Sequence, residues 1–392
     1  MVSLLLPVIY LAFISLGLPD GLLGAAWPSM YGQMGADLSW AGAVSMIISA
    51  GTIVSSLASD RLNSRLGTGK VTACSVALTA VALFGFSLST AFWQLCLWAV
   101  PYGLGAGSVD AALNNYVALH YESRHMSWLH CMWGIGASIG PVIMGWALAA
   151  DTWQSGYRII SLLQIVLTAV LVFSLPLWKR PDRTGAADIT PEHRSLPQLM
   201  RIPGVPEVMV SFACYSAVEC TTGMWAASYC TLVRGIDAGT AAGWASLFYL
   251  GITVGRFFCG FLTMKFNDHQ MILGGQAVIL AGLLLIFLPA GNGLLFAGLI
   301  IVGLGCAPIY PSIIHETPAN FGRNLSMSMT GVQMAAAYVG TTLLPPFFGL
   351  LAQHISMTLF PWYLLAALIL MTVSSEAMHR KTAAHRAANA AS

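Results

Sequence analysis

WQLCLWAVPYGLGAGSVDAALNNYVAL, residues 93–119, decides the fold in two ways. A run of about 20 predominantly apolar residues, wound as a helix, crosses the ~30 Å hydrocarbon core of a bilayer. This run is long enough, and it carries a single acidic or basic residue, Asp110. Its Gly103-Leu104-Gly105 also returns further along the chain as Gly303-Leu304-Gly305, inside a second apolar run at 293–317. One membrane span is thus read directly, and the chain is read as repeating itself.

Working outward, further apolar runs fall at 2–30, 38–59, 71–90, 127–150, 156–178, 205–232, 239–264, 269–290, 326–353 and 358–378. Composition agrees with twelve spans. Of 392 residues 57% are hydrophobic and 8% charged, whereas a soluble domain carries about 25% charged residues. That is too little charge to cover a water-facing surface, and enough for a lipid-facing one. Residues 1–30 are read as the first membrane helix, not a signal peptide, because no basic residue precedes the run and eleven more follow. The eight cysteines form no CxxC pair, so neither a disulfide framework nor a zinc site is expected, and they are read as small packing residues. The expected class is an all-α membrane protein of twelve transmembrane helices in two six-helix, pseudo-symmetric bundles.

Basic residues orient it. The even-to-odd connections and the C-terminal tail hold most of them, among them Arg61, Arg65, Lys70, Arg124, Lys265 and Lys381, while the opposite side holds only Arg158 and Arg234. Positive charge gathers on the cytoplasmic side, so both termini are expected there, in a bacterial inner membrane.

The repeat holds in three pairs of spans. Gly51 and Val54 return as Gly251 and Val254, and Asp20 and Gly24 align with Glu219 and Gly223. An even number of spans per half makes this a parallel repeat, with its axis along the membrane normal and the solute site near mid-membrane between halves. The halves are expected at 1–178 and 204–380, joined by a polar cytoplasmic linker at 179–203 and followed by a cytoplasmic tail at 381–392.

Four charges lie deep inside spans: Asp20, Asp110, Glu219 and Arg256. A central charge costs roughly 2.5–3.5 kcal/mol on insertion scales, so it is expected to face a cavity or a partner. A carboxyl there is suited to take up and release protons. Asp20 sits in Pro19-Asp20-Gly21, where a missing N–H and a permissive glycine break a helix; a simple kink is the alternative. Asp110 and Asn114 share one helical face, either in a proton path or as a polar bridge between helices. Glu219 and Arg256 either pair with each other or serve the solute. Glu316 and His315 are read as interfacial. Trp27 and Trp153, near helix ends, are read as membrane-interface anchors. Gly136, Gly140 and Gly145 are read as close-packing positions.

Ala58-Ser59-Asp60-Arg61-Leu62-Asn63-Ser64-Arg65-Leu66-Gly67 resembles the signature loop of the major facilitator superfamily, with looser spacing. The resemblance implies a cytoplasmic gate at Asp60, Arg61 and Arg65. Asp20, the glycine-rich run ending in Asp110-Ala111-Ala112-Leu113-Asn114, the Leu129–Gly136 segment and Gly305-Cys306-Ala307-Pro308-Ile309-Tyr310-Pro311 are similar to the fucose–proton symporter branch. That likeness implies proton coupling at Asp20 and Asp110. The branch's fifth-helix amides are replaced here by His130 and Trp133, a departure that moves the expectation away from fucose itself. Asn114, Asn115, Trp225, Tyr310 and Gln333 complete the expected solute contacts, since amides bond hydroxyls and aromatic rings cover the apolar faces of sugars.

The expected activity is proton-coupled uptake of a small polar solute, a sugar or related metabolite, by a functional monomer. Proton-coupled efflux is the alternative, because Gly136-x3-Gly140-Pro141 resembles a motif of proton antiporters. A nutrient sensor is disfavoured by the short C-terminal tail. No nucleotide-binding loop, metal cluster or activated nucleophile is read, so no enzyme, cofactor or nucleic-acid partner is expected.

Overall fold

The computed structural model describes residues 2–120, 123–178, 196–288, 291–322 and 325–391. Among them all regular structure is helical. The first half runs α1a Val2–Gly17, α1b Leu22–Met30, α2 Trp40–Leu66, α3 Thr68–Leu88, α4 Phe92–His120, α5 Ser123–Ala150 and α6 Trp153–Ser174. The second runs α7 Val205–Leu232, α8 Ala238–Leu262, α9 Asp268–Phe287, α10a Asn292–Cys306, α10b Ile309–His315, α11 Ser326–His354 and α12 Phe360–Ala391. These are twelve passes, with α1 and α10 each broken once. Nine described spans are long and apolar enough to cross a membrane, and Trp40–Ser56 of α2 is a shorter apolar stretch. Phe173 and Trp146 are 85% and 70% exposed, a cost in water that lipid removes.

Each break has a local cause. At the first, Pro19 has no N–H to give and Gly21 sits at φ 76, in the left-handed region that favours glycine. The chain turns there through Asp20 N–H to the Gly17 carbonyl at 2.9 Å and Leu22 N–H to the Pro19 carbonyl at 3.2 Å. The α10 break falls at Ala307-Pro308, where proline again removes a helical donor.

The repeat seen in sequence is a repeat of contacts. A β-carbon at Gly103 would fall 2.2 Å from the Ile48 carbonyl oxygen, and one at Gly303 would fall 2.0 Å from that of Phe248. Gly105 meets Ser75 and Thr79, as Gly305 meets Gly275 and Ile279. Small residues let backbones approach where lipid supplies no hydrophobic drive between helices.

Odd-numbered helices run from the end where the chain starts, the terminal end, to the far end. The halves meet as α5 on α8, α2 on α11 and α1b on α7. Every described glycine that packs across the halves lies between mid-height and the far end. Gly134 faces Thr253, Gly24 faces the Gly223 carbonyl, Gly145 faces that of Gly239, and Gly42 faces Pro346. Ser39 N–H donates to Gln353 Oε1 at 2.9 Å beside them.

Two expectations need correction, and one expected segment gains a conformation. Trp27 and Trp153 are buried and do not anchor at the lipid interface: their indole N–H groups donate to the Leu38 carbonyl at 2.7 Å and to Gln33 Oε1 at 2.8 Å. The stretch expected as the gate loop is helix to Leu66, and Gly67 alone separates it from α3. The expected tail continues α12 as helix to Ala391.

Candidate functional site

At mid-height, where the halves begin to touch, one chain of contacts runs from the first half into the second. The α1 break delivers Asp20, whose Oδ2 accepts the indole N–H of Trp133 on α5 at 2.7 Å. The guanidinium carbon of Arg256, on α8, lies 5.0 Å from the centre of the Trp133 ring. Arg256 Nη2 then stands 3.8 Å from Glu219 Oε1 on α7. The Arg256 and Glu219 side chains are 13% and 17% exposed, so a cation and a carboxylate are held inside the molecule without being sealed. Tyr249 packs edge-on to Trp133, ring centres 6.3 Å apart, and its ring fills the space beside Gly21 and Gly223.

The order of strength in this chain follows from distance. A charge-assisted bond at 2.7 Å is strong, and Trp133 is thereby fixed with its ring face toward the guanidinium, which the ring quadrupole attracts. The Arg256–Glu219 separation is long for a hydrogen bond, and the Tyr215 hydroxyl also faces both groups. Arg256 is therefore held by the Trp133 ring, the Tyr215 hydroxyl and a loosely placed carboxylate.

The other expected residues distribute unevenly. Asp110 and Asn114 are together on α4: Asn114 Nδ2 donates to Asp110 Oδ1 at 2.9 Å and to its backbone carbonyl at 3.1 Å. His130 is half-buried one turn before Trp133, edge-on to Phe13 at 5.8 Å. Tyr310, on α10b, packs against Phe212 and Tyr215 at 5.1 and 6.3 Å and donates to Met334 Sδ at 3.5 Å. Trp225 is fully enclosed, its N–H on the Pro345 carbonyl at 2.9 Å. Gln333 is fully enclosed too, accepting from Thr317 Oγ1 at 3.0 Å. Arg65 is exposed in the last turn of α2, while the side chains of Asp60, Arg61 and Asn115 lie outside the described ones. Tyr249 was not singled out from the sequence. Its only signal is indirect, in the two glycines that leave room for its ring.

The efflux-type glycines have a packing role. A β-carbon at Gly136 or Gly140 would fall 2.1 Å from the Ile14 or Leu18 carbonyl oxygen of the first helix.

A family model, Major Facilitator Superfamily, matches residues 9–245 and matches again over 208–386. The chain belongs to this superfamily. Among similar proteins, Bypass of stop codon protein 6 of Saccharomyces cerevisiae is 22% identical, over 90% of this chain and 78% of that one. The uncharacterized transporter y4wD of Sinorhizobium fredii is 25% identical, over 87% and 90%. The glucose/mannose transporter GlcP of Bacillus subtilis is 23% identical, over 59% of each chain. A crystal structure of a bacterial homologue of the human lysosomal transporter Spinster superposes with a TM-score of 0.69 at 14% identity, covering 96% of this chain and 95% of that one. That likeness concerns the superfamily fold.

Proposed function

We propose that this superfamily member carries a small polar solute, a sugar or related metabolite, together with protons, as the fucose–proton symporter branch does. The observation that carries the reading is the contact chain Asp20–Trp133–Arg256–Glu219, which bridges the two halves at mid-height. Protonating Asp20 weakens the acceptor that orients Trp133, and a moved Trp133 releases Arg256 from its ring. Solute hydroxyls then compete for Arg256, Asp20 and the Asp110–Asn114 pair. Proton and solute thus act on the same contacts between halves, which is what coupling requires: each ligand must favour the same conformations. The distant likeness to a glucose/mannose transporter is compatible with a sugar.

In this proposal the terminal end faces the cytoplasm of a bacterial inner membrane, in line with the bias of basic residues, and one chain is the working unit. A second reading, an organic anion as solute, is favoured by the loose Arg256–Glu219 pairing, which a solute carboxylate could replace.

The test is solute-induced pH change in proteoliposomes, scanning sugars, then organic acids, then amphipathic drugs, with Asp20→Asn and Asp110→Asn alongside. Proton movement into the vesicles with one sugar, lost in both variants, supports the proposal. A signal with carboxylates that needs Arg256 moves the assignment to the anion reading. Silence with sugars and acids, and proton exchange driven by drugs, overturns both and leaves an exporter.

A further inference from the structure

The terminal end of the second half gathers histidines and carboxylates from three helices. An Asn267–Gln270 capping box starts α9 and sets His269 in its first turn. Glu316 closes α10b, and Glu376 and His379 stand one turn apart on α12. His269 Nε2 lies 2.6 Å from Glu376 Oε1, and His379 Nε2 lies 2.8 Å from Glu316 Oε2. The two imidazoles stack with centres 3.9 Å apart. One ligand atom each from His269, Glu376 and His379 fall within 4.8 Å of one another.

Two further observations separate this group from an ordinary set of ion pairs. His379 Nδ1 is 2.9 Å from the Ser375 carbonyl, which can only accept, so Nδ1 donates there and holds the ring; Nε2, which donates to Glu316 in the imidazolium, is the nitrogen that an ion would take in exchange for that proton. Backbone bonding of this kind is how metal-ligating histidines are oriented. Independently, Glu316 has a side chain only 8% exposed, and its Oε1 is buried without a hydrogen-bond partner. A buried carboxylate oxygen facing no donor is costly, and the same carboxylate reaches the group through its other oxygen, on His379 Nε2.

We propose that His269, His379 and Glu376, backed by Glu316, bind one divalent ion of the zinc class. Imidazole nitrogen with carboxylate oxygen suits such ions, whereas magnesium and calcium take oxygen donors. Bonds of about 2.0–2.2 Å place tetrahedral ligand atoms roughly 3.4 Å apart, so a small opening of the 2.6 Å His269–Glu376 contact admits the ion. His269 and Glu376 are 37% and 32% exposed while His379 is 14% exposed. The site has an open side and a deep side, with water completing the coordination. The bound ion ties α9 to α12 within one half, with Glu316 of α10b beside it.

The experiment uses full-length protein without a histidine tag, stripped with EDTA in detergent and titrated with Co²⁺ and then Zn²⁺. One equivalent of Co²⁺ giving visible tetrahedral d–d bands, displaced by one equivalent of Zn²⁺ and indifferent to Mg²⁺ and Ca²⁺, is expected. His269→Gln and His379→Gln each weaken binding about 100-fold, and Glu316→Gln about 10-fold, in the range for ligands and their supporting partners. His385→Gln, in the C-terminal stretch, leaves it unchanged. X-ray absorption of the zinc-loaded wild type, which needs no folded variant, counts two imidazoles and no sulfur. Absence of stoichiometric uptake, undiminished binding in folded His269→Gln and His379→Gln proteins, or a sulfur ligand overturns the assignment.

Discussion

The two halves share a frame and differ in their chemistry. In both, a glycine of the fourth helix sits against a carbonyl of the second: Gly103 on Ile48, Gly303 on Phe248. Such contacts are between backbone atoms and cannot drift without moving a helix. The side chains are under no such restraint. Asp20 has Glu219 as its counterpart, yet α1 breaks at Asp20 and α7 is continuous through Glu219. Asp110 is matched by Tyr310, and Arg256 by Ser56. The break moves from the first helix of one half to the fourth of the other, at Pro308. The packing is therefore common to the halves, while Asp20 and Asp110 of the first are matched by Glu219 and Tyr310, and the buried cation, Arg256, stands in the second.

The largest effect should separate the paired carboxylates. Asp20→Asn is expected to reduce solute-driven proton movement to the level of empty vesicles, while Glu219→Gln leaves a measurable rate, since Glu219 touches Arg256 only at 3.8 Å. Equal losses would make the two halves chemically equivalent. Next, Gly103→Val and Gly303→Val are each expected to destabilise the detergent-solubilised protein by at least 1–3 kcal/mol, the usual range for overpacking. Thermal unfolding reads this, and a cost confined to one half would break the shared frame. Trp133→Phe keeps the ring near Arg256 and removes the N–H held by Asp20. A charge-assisted bond is worth about 1.5–3 kcal/mol, so half-saturation for the solute should rise about tenfold, with expression unchanged. The smallest contrast is Gly21→Ala against Cys220→Ala at the matched position. Left-handed backbone costs a side chain roughly 1–2 kcal/mol, and Tyr249 crowds the same space, whereas Cys220 is helical, so its substitution carries no backbone strain and should cost less.

Much of the frame was legible in the sequence because membrane helices announce themselves by length and apolarity, and because glycines that touch backbone repeat at a fixed spacing. Pro19-Asp20-Gly21 gave the first break for the same local reason. Trp27 and Trp153 were misread since an indole at a helix end looks alike whether its N–H meets a lipid headgroup or, as here, Leu38 and Gln33. The Asp20–Trp133 bond joins residues far apart in the chain, and no local pattern specifies it, although each was singled out alone. His269, Glu316 and His379 were not seen as one cluster, because three separate helices bring them together.

Gly67 is the only residue between α2 and α3, which makes that pair of helices a bent lever. Its long arm ends at Ser39 and Gly42, clasped to Gln353 and Pro346 of the other half. Its short arm is α3, which packs on α6. Any parting of the clasp has to swing α3 as well, since one residue offers little slack to absorb the turn. Cys74, the exposed cysteine on α3, then becomes a native strain gauge: a fluorophore on that thiol would register the far-end clasp from the other end of the lever.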